Sequence, residues 1–337
     1  MKKIIAFILT LVTIFAFAAC AEKKNDATQV EYTLGAVEGA PTLSVVNIAD
    51  GFDYSGSDKE YSTRVSVAAD ADAIKSGMLN GDFDMAIVPL NLAAVLYNNN
   101  EKHSFKLASV NIFGVLYMVG TSVIADGDLA VLKGKVVYTV GKGGTPDIVF
   151  QNLLKKQNIE SEYGDEAITD KVVVKVSTQE EIIAAFNAGT CEYAILGEPA
   201  VTGVIGKTKE QGTVIALDLQ AEWKKYYGDT DFVQAGLVVN TDKVDIAYAT
   251  ALVEKLKENH DYLYANTDKI SDRLKAIGST KIANLKFNEA ILNRCNIGCK
   301  NASSLKTEIT AFLTANGFSE NAPQPVKKLP ADDFYLL

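Results

Sequence analysis

The stretch VSVAADADAIKSGMLNGDFDMAIVPLN, residues 65–91, is echoed by VVVKVSTQEEIIAAFNAGTCEYAILGEP, residues 172–199. At an offset of 108 residues, Ile74 lies over Ile182, Gly81 over Gly189, Asp84 over Glu192, Ala86 over Ala194 and Ile87 over Ile195. Such self-similarity marks a duplicated structural unit. Each copy reads as a strand, an amphipathic helix, a glycine stop and a short buried strand that runs into a Pro-bearing loop. Ser177 or Thr178 suits a helix N-cap, and Glu180 and Glu181 fall in the first turn, where the helix dipole favours acids. Asn80-Gly81 and Ala188-Gly189 are C-terminal stops. The apolar runs 84–88 and 192–196 are short enough for buried strands.

Each copy is preceded by another strand and another Pro-bearing loop. Tyr32–Val37 leads into Glu38-Gly39-Ala40-Pro41, and Lys135–Val140 leads into Gly141-Lys142-Gly143-Gly144-Thr145-Pro146. Proline at the first helical position forfeits no needed N–H. A helix is therefore expected from Pro41, with Leu43, Val46 and Ile48 inward, and another over 147–157. Strands alternating with helices give a mainly parallel sheet flanked by helices in each copy, an α/β chain of two lobes. The apolar segments 105–124 and 213–240 are expected to be two crossing strands that join the lobes. The tail from Lys243 is helical, with the clearest periodicity over 243–264 and 303–316, and is assigned to the first lobe. Residues 30–113 with 232–337 form that lobe, and 114–231 form the second.

The N-terminus reads as an export signal. Lys2 and Lys3 precede an apolar run to Ala19, too short to span a membrane, which ends Phe17-Ala18-Ala19-Cys20. Residues 1–19 are the expected signal peptide. Small residues before a cysteine resemble a bacterial lipobox, so Cys20 is the expected lipidation site and 20–29 a polar tether. Cleavage of a plain secreted protein near Ala19 would leave similar residues. Lipidation would place the protein on the extracytoplasmic face of the cell membrane.

The 337 residues are 48% hydrophobic and 22% charged, a globular balance that excludes a disordered or coiled-coil chain. The net charge of -9 excludes nucleic acid as a partner, because neutralising phosphates takes clustered Lys and Arg. Two His and four Cys leave little for a metal site or for His-based catalysis. No Ser/His/Asp set is visible around His103, in an exposed loop, or His260, on a polar helix end, and no cofactor is expected. Trp223, Tyr226 and Tyr227 have helical spacing suited to packing. Cys191 precedes a buried strand and reads as a core thiol. Cys295 and Cys299 stand four apart; export permits a bridge, while a regular helix disfavours its geometry.

In open parallel sheets ligands sit beyond the carboxyl ends of the strands. Four loops, 38–42, 89–92, 141–147 and 197–200, are placed there, each opening a helix whose free N–H groups and dipole favour polar ligands. The candidate ligand residues are Gly39, Ala40 and Pro41, Asn91, Asn111, Gly143, Gly144 and Thr145, and Glu198. Gly39–Pro41 would equally suit an ordinary strand-to-helix turn, and Asn91 a plain cap. The 141–147 loop lacks the closing Gly-Lys-Ser/Thr of a P-loop but suits an anion nest. Glu198 and Glu38 tilt the reading toward an amine-bearing solute, although a Glu at a helix start is favoured whatever its function. Two such lobes are expected to close on the solute by hinge bending.

The export signal, the duplication, the loops GAP at 39–41 and GEPA at 197–200, and the ending KKLPADDFYLL at 327–337 together resemble bacterial ABC-transporter solute-binding lipoproteins. The similarity is greatest to the nitrate/sulfonate/taurine and thiamine-pyrimidine-precursor group and covers about 30–337. It implies a periplasmic-binding-protein fold, capture of a small polar solute, and permease and ATPase subunits as membrane partners of a monomer. An enzyme on the same fold acting on a small metabolite is the alternative. The cysteine-rich motif and functional histidine of the related pyrimidine-precursor synthase are not found in this chain, which argues against it.

Overall fold

The computed structural model describes residues 27–228 and 232–337. The expected signal peptide and Cys20 lie outside the described residues. Among those residues no helix is long and apolar enough to cross a membrane.

Two sheets form the framework. The first has the order β13-β5-β12-β4-β1-β3-β2, built from β1 (Thr28–Val37), β2 (Phe52–Ser55), β3 (Lys59–Ala68), β4 (Met85–Pro89), β5 (Phe105–Ile112), β12 (Ala235–Asn240) and β13 (Ile297–Asn301). The second has the order β11-β6-β10-β7-β9-β8, built from β6 (Leu116–Gly120), β7 (Val136–Thr139), β8 (Ser161–Tyr163), β9 (Val172–Val176), β10 (Tyr193–Gly197) and β11 (Val214–Asp218). β3, β1 and β4 are parallel, as are β8, β9, β7 and β10, and the antiparallel strands include the segments that link the sheets. β2 pairs antiparallel with β3, a hairpin absent from the duplicated pattern.

Local chemistry sets most of the element ends. Helix α1 (Ala40–Leu43) is a single turn followed by a 3-10 turn at Val46–Ile48, so the helix expected from Pro41 is broken. Its inward residues Leu43, Val46 and Ile48 are nonetheless buried. Helix α2 (Ala71–Asn80) starts on Asp70, whose Oδ1 accepts the Ala73 N–H at 2.9 Å, and stops on left-handed Gly81. Helix α3 (Leu90–Asn99) follows β4, and α4 (Thr145–Lys156) follows the glycine loop. Helix α5 (Gln179–Asn187) opens with a capping box between Thr178 and Glu181. Helix α6 (Ala200–Lys207) follows β10, and α7 (Leu219–Tyr227) follows β11.

The tail folds mainly onto the first sheet. It comprises α8 (Ile246–Lys257), α9 (Asn259–Ala265), α10 (Ile270–Ala276), α11 (Glu289–Cys295) and α12 (Lys306–Ala315), with β13 antiparallel to β5. The final residues return to the same sheet, where the Leu336 N–H donates to the Leu107 carbonyl at 2.8 Å and Phe334 is fully buried. Cys191, Cys295 and Cys299 are free thiols. Cys295 ends α11 and Cys299 lies on β13, so the two never share a helix.

The crossings differ in form from the expected pair of strands. In the first, β5 and β6 are joined by Phe113–Val115, where Gly114 takes a φ of 101° that favours glycine. In the second, β11 and β12 are separated by α7, because Asp218 caps a helix by accepting the N–H groups of Gln220 and Ala221. Trp223 on α7 stacks on Tyr227 at 3.9 Å between ring centroids and packs on Phe232, as expected, whereas Tyr226, expected to pack with them, is exposed. One apolar core runs from the first sheet through this junction into the α4 face of the second sheet. A smaller core lies between the second sheet and α5 and α6.

Candidate functional site

Strand register places the site. Pro89 and Ile112 both pair with Ala235, so β4 and β5 end at the same edge of the first sheet. Leu116 pairs with Gly197, and Tyr117 with Asp218, so β6 starts where β10 and β11 end. The three-residue link 113–115 therefore joins the carboxyl edges of the two sheets. The loops after β1 and β4 lie on one side of the junction, and those after β7 and β10 on the other. The four loops expected to hold a solute thus follow strands that end at this junction.

Two glutamine amides stitch the junction. The Gln234 side-chain Oε1 accepts the Val115 N–H at 3.2 Å, while its main-chain carbonyl accepts the Leu90 N–H at 3.0 Å. Gln220 Oε1 accepts the Leu116 N–H. Both join backbone segments far apart in sequence, and no local pattern announces them.

The glycine loop is closed on itself. Gly141 and Gly143 have φ of 66° and 73°. The Gly143 N–H donates to Asp147 Oδ2 at 2.7 Å, and the Gly144 N–H to the Gly141 carbonyl at 2.9 Å. These two donors, expected to face a solute, are spent within the loop. Asp147 is buried in the first turn of α4, and its Oδ2 also accepts the Tyr163 hydroxyl at 2.7 Å. Burial, and then the Asp147 carboxylate, push the Tyr163 hydroxyl up to about 12. Lys142 Nζ sits 4.1 Å from the centre of the Tyr163 ring. Thr145 is buried, and its hydroxyl has no partner within the chain.

On the first sheet, Gly39 has a φ of 122°, Ala40 is buried and Pro41 occupies the first turn of α1. Asn91 lies in the first turn of α3, and its Oδ1 is buried without a partner in the chain. Asn111 is buried one residue before the end of β5. Its Oδ1 accepts the Ser109 hydroxyl at 2.9 Å, and its side chain faces the Cys299 thiol on β13.

The two acidic candidates have partners of their own. Glu38 gathers the loop after α10: it accepts the Ser279 hydroxyl at 2.5 Å and the N–H groups of Thr280, Lys281 and Ile282 at 3.0–3.3 Å. Glu198, with its side chain fully covered, accepts Arg294 Nε at 2.6 Å, the Thr202 hydroxyl at 2.9 Å and the Thr202 N–H at 3.0 Å. Leaving such a carboxylate unpaired costs about 3–5 kcal/mol. Glu198 thus meets an arginine of this chain where a solute N–H was expected. Both carboxylates behind the tilt toward an amine-bearing solute thus have partners within the chain, while Asp147 Oδ1 is buried without one among the described residues. Arg294 was not singled out from the sequence. Burial, and then the charges of Asp218 and Glu198, raise the neighbouring Tyr117 hydroxyl, and Arg294 opposes them.

A cavity of about 550 Å³ lies at the same junction, lined by Phe113, Gln220, Phe232, Asn296 and Gly298 among others. It sits toward β13 and α7, away from the four loops. Among the described residues, no group of three or more His, Cys, Asp or Glu gathers to hold a metal ion.

No protein-family model matches the chain, and no curated protein matches it. Solved structures do. An ABC transporter protein from Parabacteroides distasonis is similar at 22% identity and a TM-score of 0.69, over 90% of this chain and 97% of that one. The periplasmic aliphatic sulphonate binding protein SsuA from Escherichia coli is similar at 12% identity and a TM-score of 0.62, over 88% and 95%. The ligand-binding component of an ABC-type import system from Staphylococcus aureus, solved with zinc bound, is similar at 12% identity and a TM-score of 0.59, over 91% and 98%. The chain therefore has the two-lobed α/β fold of the solute-binding proteins of ABC importers.

Proposed function

We propose that this chain is the solute-binding lipoprotein of an ABC importer, held on the extracytoplasmic face of the cell membrane through a lipid on Cys20. Residues 30–113 with 232–337 form one lobe and 114–231 the other. A small polar solute lies between them and is passed to permease and ATPase subunits. The protein acts as a monomer and carries out no chemical step. The observation that carries this reading is a set of buried polar atoms without partners in the chain, at the facing edges of the two sheets. Among the described residues they are Asn91 Oδ1, Thr139 Oγ1, Thr145 Oγ1 and Asp147 Oδ1. Buried polar groups are normally hydrogen-bonded, so orphans at a ligand-binding edge are groups left for a ligand. Asn91 and Asp147 supply acceptors, and Thr139 and Thr145 either; Asn111, near the end of β5, completes the proposed set. The backbone turns at Gly39, Ala40 and Pro41 and at Gly143 and Gly144 shape the walls.

The test is mass spectrometry of protein purified without refolding, followed by calorimetric titration of the solute found. A neutral hydrogen bond contributes about 0.5–1.5 kcal/mol, so Asn91→Ala and Thr145→Val should each weaken binding by about threefold to tenfold. Neither polar atom has a partner in the chain, so unliganded stability should change little. A native preparation that carries no small molecule, with unchanged affinity in both variants for every ligand found by screening, overturns the reading.

A further inference from the structure

Residues 279–295 form a strap that belongs to the first lobe and touches the second. Its start is held by Glu38 through Ser279, Thr280, Lys281 and Ile282. Its middle is held by Ser271, whose hydroxyl donates to the Leu285 carbonyl at 2.7 Å. Its end is held at the junction, where the Phe113 N–H donates to the Asn296 carbonyl at 3.1 Å and Asn296 Nδ2 donates to the Phe113 carbonyl at 2.6 Å. The strap is thus fixed to its own lobe along its length. Beside the link 113–115, where the Glu198 N–H donates to the Val115 carbonyl at 2.8 Å, it meets α6 and β6. Arg294 Nε donates to Glu198 Oε1 at 2.6 Å, and Arg294 Nη2 to the Thr202 hydroxyl at 3.0 Å, which in turn donates to Glu198. The Tyr117 hydroxyl donates to the Arg294 carbonyl at 3.4 Å. Leu285 lies beside Gly203, so that a Cβ there would be 3.8 Å from Leu285 Cδ2.

We propose that Arg294 is a positioning residue for solute capture, clamping the second lobe through Glu198 and Thr202 and holding the cleft closed before any solute arrives. The guanidinium fork is suited to this, since two donors in one plane fix direction as well as distance, which a lysine does not. The three side chains form a closed ring of donors and acceptors that needs no ligand to complete it. A motion that parts α11 from α6 would break the ring and leave the covered Glu198 carboxylate without its cation. A second contact between the lobes combines an aromatic pair, Trp223 at 6.1 Å from Phe312, with a hydrogen bond from Asn152 Nδ2 to the Ala315 carbonyl at 2.9 Å. The ionic contact is the one that a single substitution at Arg294 can release. The proposal rests on the two-lobe solute-binding reading but not on the identity of the solute.

Small-angle scattering of the unliganded protein tests it. The parent should match the curve calculated from the present structure. Arg294→Met, Glu198→Gln and the double variant should share one larger radius of gyration, because all three break the same contact. Arg294→Lys, which keeps the charge and loses the fork, should lie between. Thr202→Val keeps both charges and should shift in the same direction; it serves if a charge-removing variant does not fold. A parent that is already expanded without solute, or folded variants with the parent's radius, overturns the clamp. Neither result affects the search for a bound solute by mass spectrometry, so failure of the clamp and failure of the transport reading are distinguishable.

Discussion

At the scale of the residue, burial decides which groups are available for chemistry. Cys191 and Cys295 are covered, and burial raises both thiols, Cys191 to about 12. Burial likewise raises Cys299 to about 11, even though hydrogen bonds from Ser109 and Asn111 oppose the shift. The thiolate is the reactive form, so at pH 8 almost none of it is present in the folded protein. Site-resolved maleimide labelling at that pH should therefore be slow at all three positions and fast once the chain is unfolded in urea. Rapid labelling of native Cys191 would contradict its place beside the second sheet. The same principle separates the acidic candidates from the neutral ones. Glu38 and Glu198 are spoken for by the chain, while Asn91 and Thr145 each keep a buried polar atom without a partner among the described residues. Sequence distance hid these pairings: 96 positions separate Glu198 from Arg294, and 241 separate Glu38 from Ser279. The only local hint was that Arg294 is one of three arginines in a chain otherwise basic through lysine.

At the scale of the element, the duplicated units were legible because their signals are local. Gly81 stops its helix and Thr178 starts its own at the residues where the sequence places them. The hairpin strand β2 and the short edge strand β8 went unread, because strands this short at a sheet edge carry too little apolar periodicity. The C-terminal segment shows how a stretch without periodicity can still be fixed. Tyr97 donates to Asp333 Oδ1 at 2.5 Å, and Lys106 Nζ lies 3.2 Å from Asp333 Oδ2. The Tyr97 bond first, and then Lys106, hold the Asp333 carboxyl below its usual range against a smaller opposing effect of burial. A depressed carboxyl stabilises the fold above its unfolded value of about 3.9 and ceases to do so as pH falls through the folded value. Stability measured by urea unfolding should therefore fall less steeply below about pH 4 in Asp333→Asn than in the parent. An identical acid limb in the two proteins would mean that the pairing is not kept in solution.

At the scale of the whole molecule, the arrangement is two sheets joined at their carboxyl edges, with an aromatic contact around Trp223 and an ionic contact around Arg294. If the ionic contact holds without solute, binding changes the overall dimensions of the parent little and compacts the clamp-free variants. That differs from the hinge closure expected from two lobes alone. The anchor belongs to this scale as well. Each buried methylene of an attached acyl chain adds about 0.8 kcal/mol of membrane affinity. Cys20→Ala should move the protein from the membrane fraction to the soluble fraction, or halt its maturation, as read by fractionation and N-terminal mass analysis. A variant that stays membrane-bound with an unchanged N-terminus removes the lipid anchor from the reading.

The sequence by itself determined the repeated strand–helix units, the glycine and Pro-bearing loops at the ends of their strands, and hence the two-lobed α/β class. Each of these rests on contacts within a few residues, which spacing records. Tertiary structure alone decided that the second crossing is interrupted by α7, that the glycine loop closes on Asp147, and that the Glu38 and Glu198 carboxylates hold the strap. In each case the partner or the packing surface comes from a distant segment. A carboxylate that ends in a cleft looks the same in sequence whether its cation is to be a solute or Arg294. Only the fold brings that guanidinium within 2.6 Å and settles the matter by burial and charge.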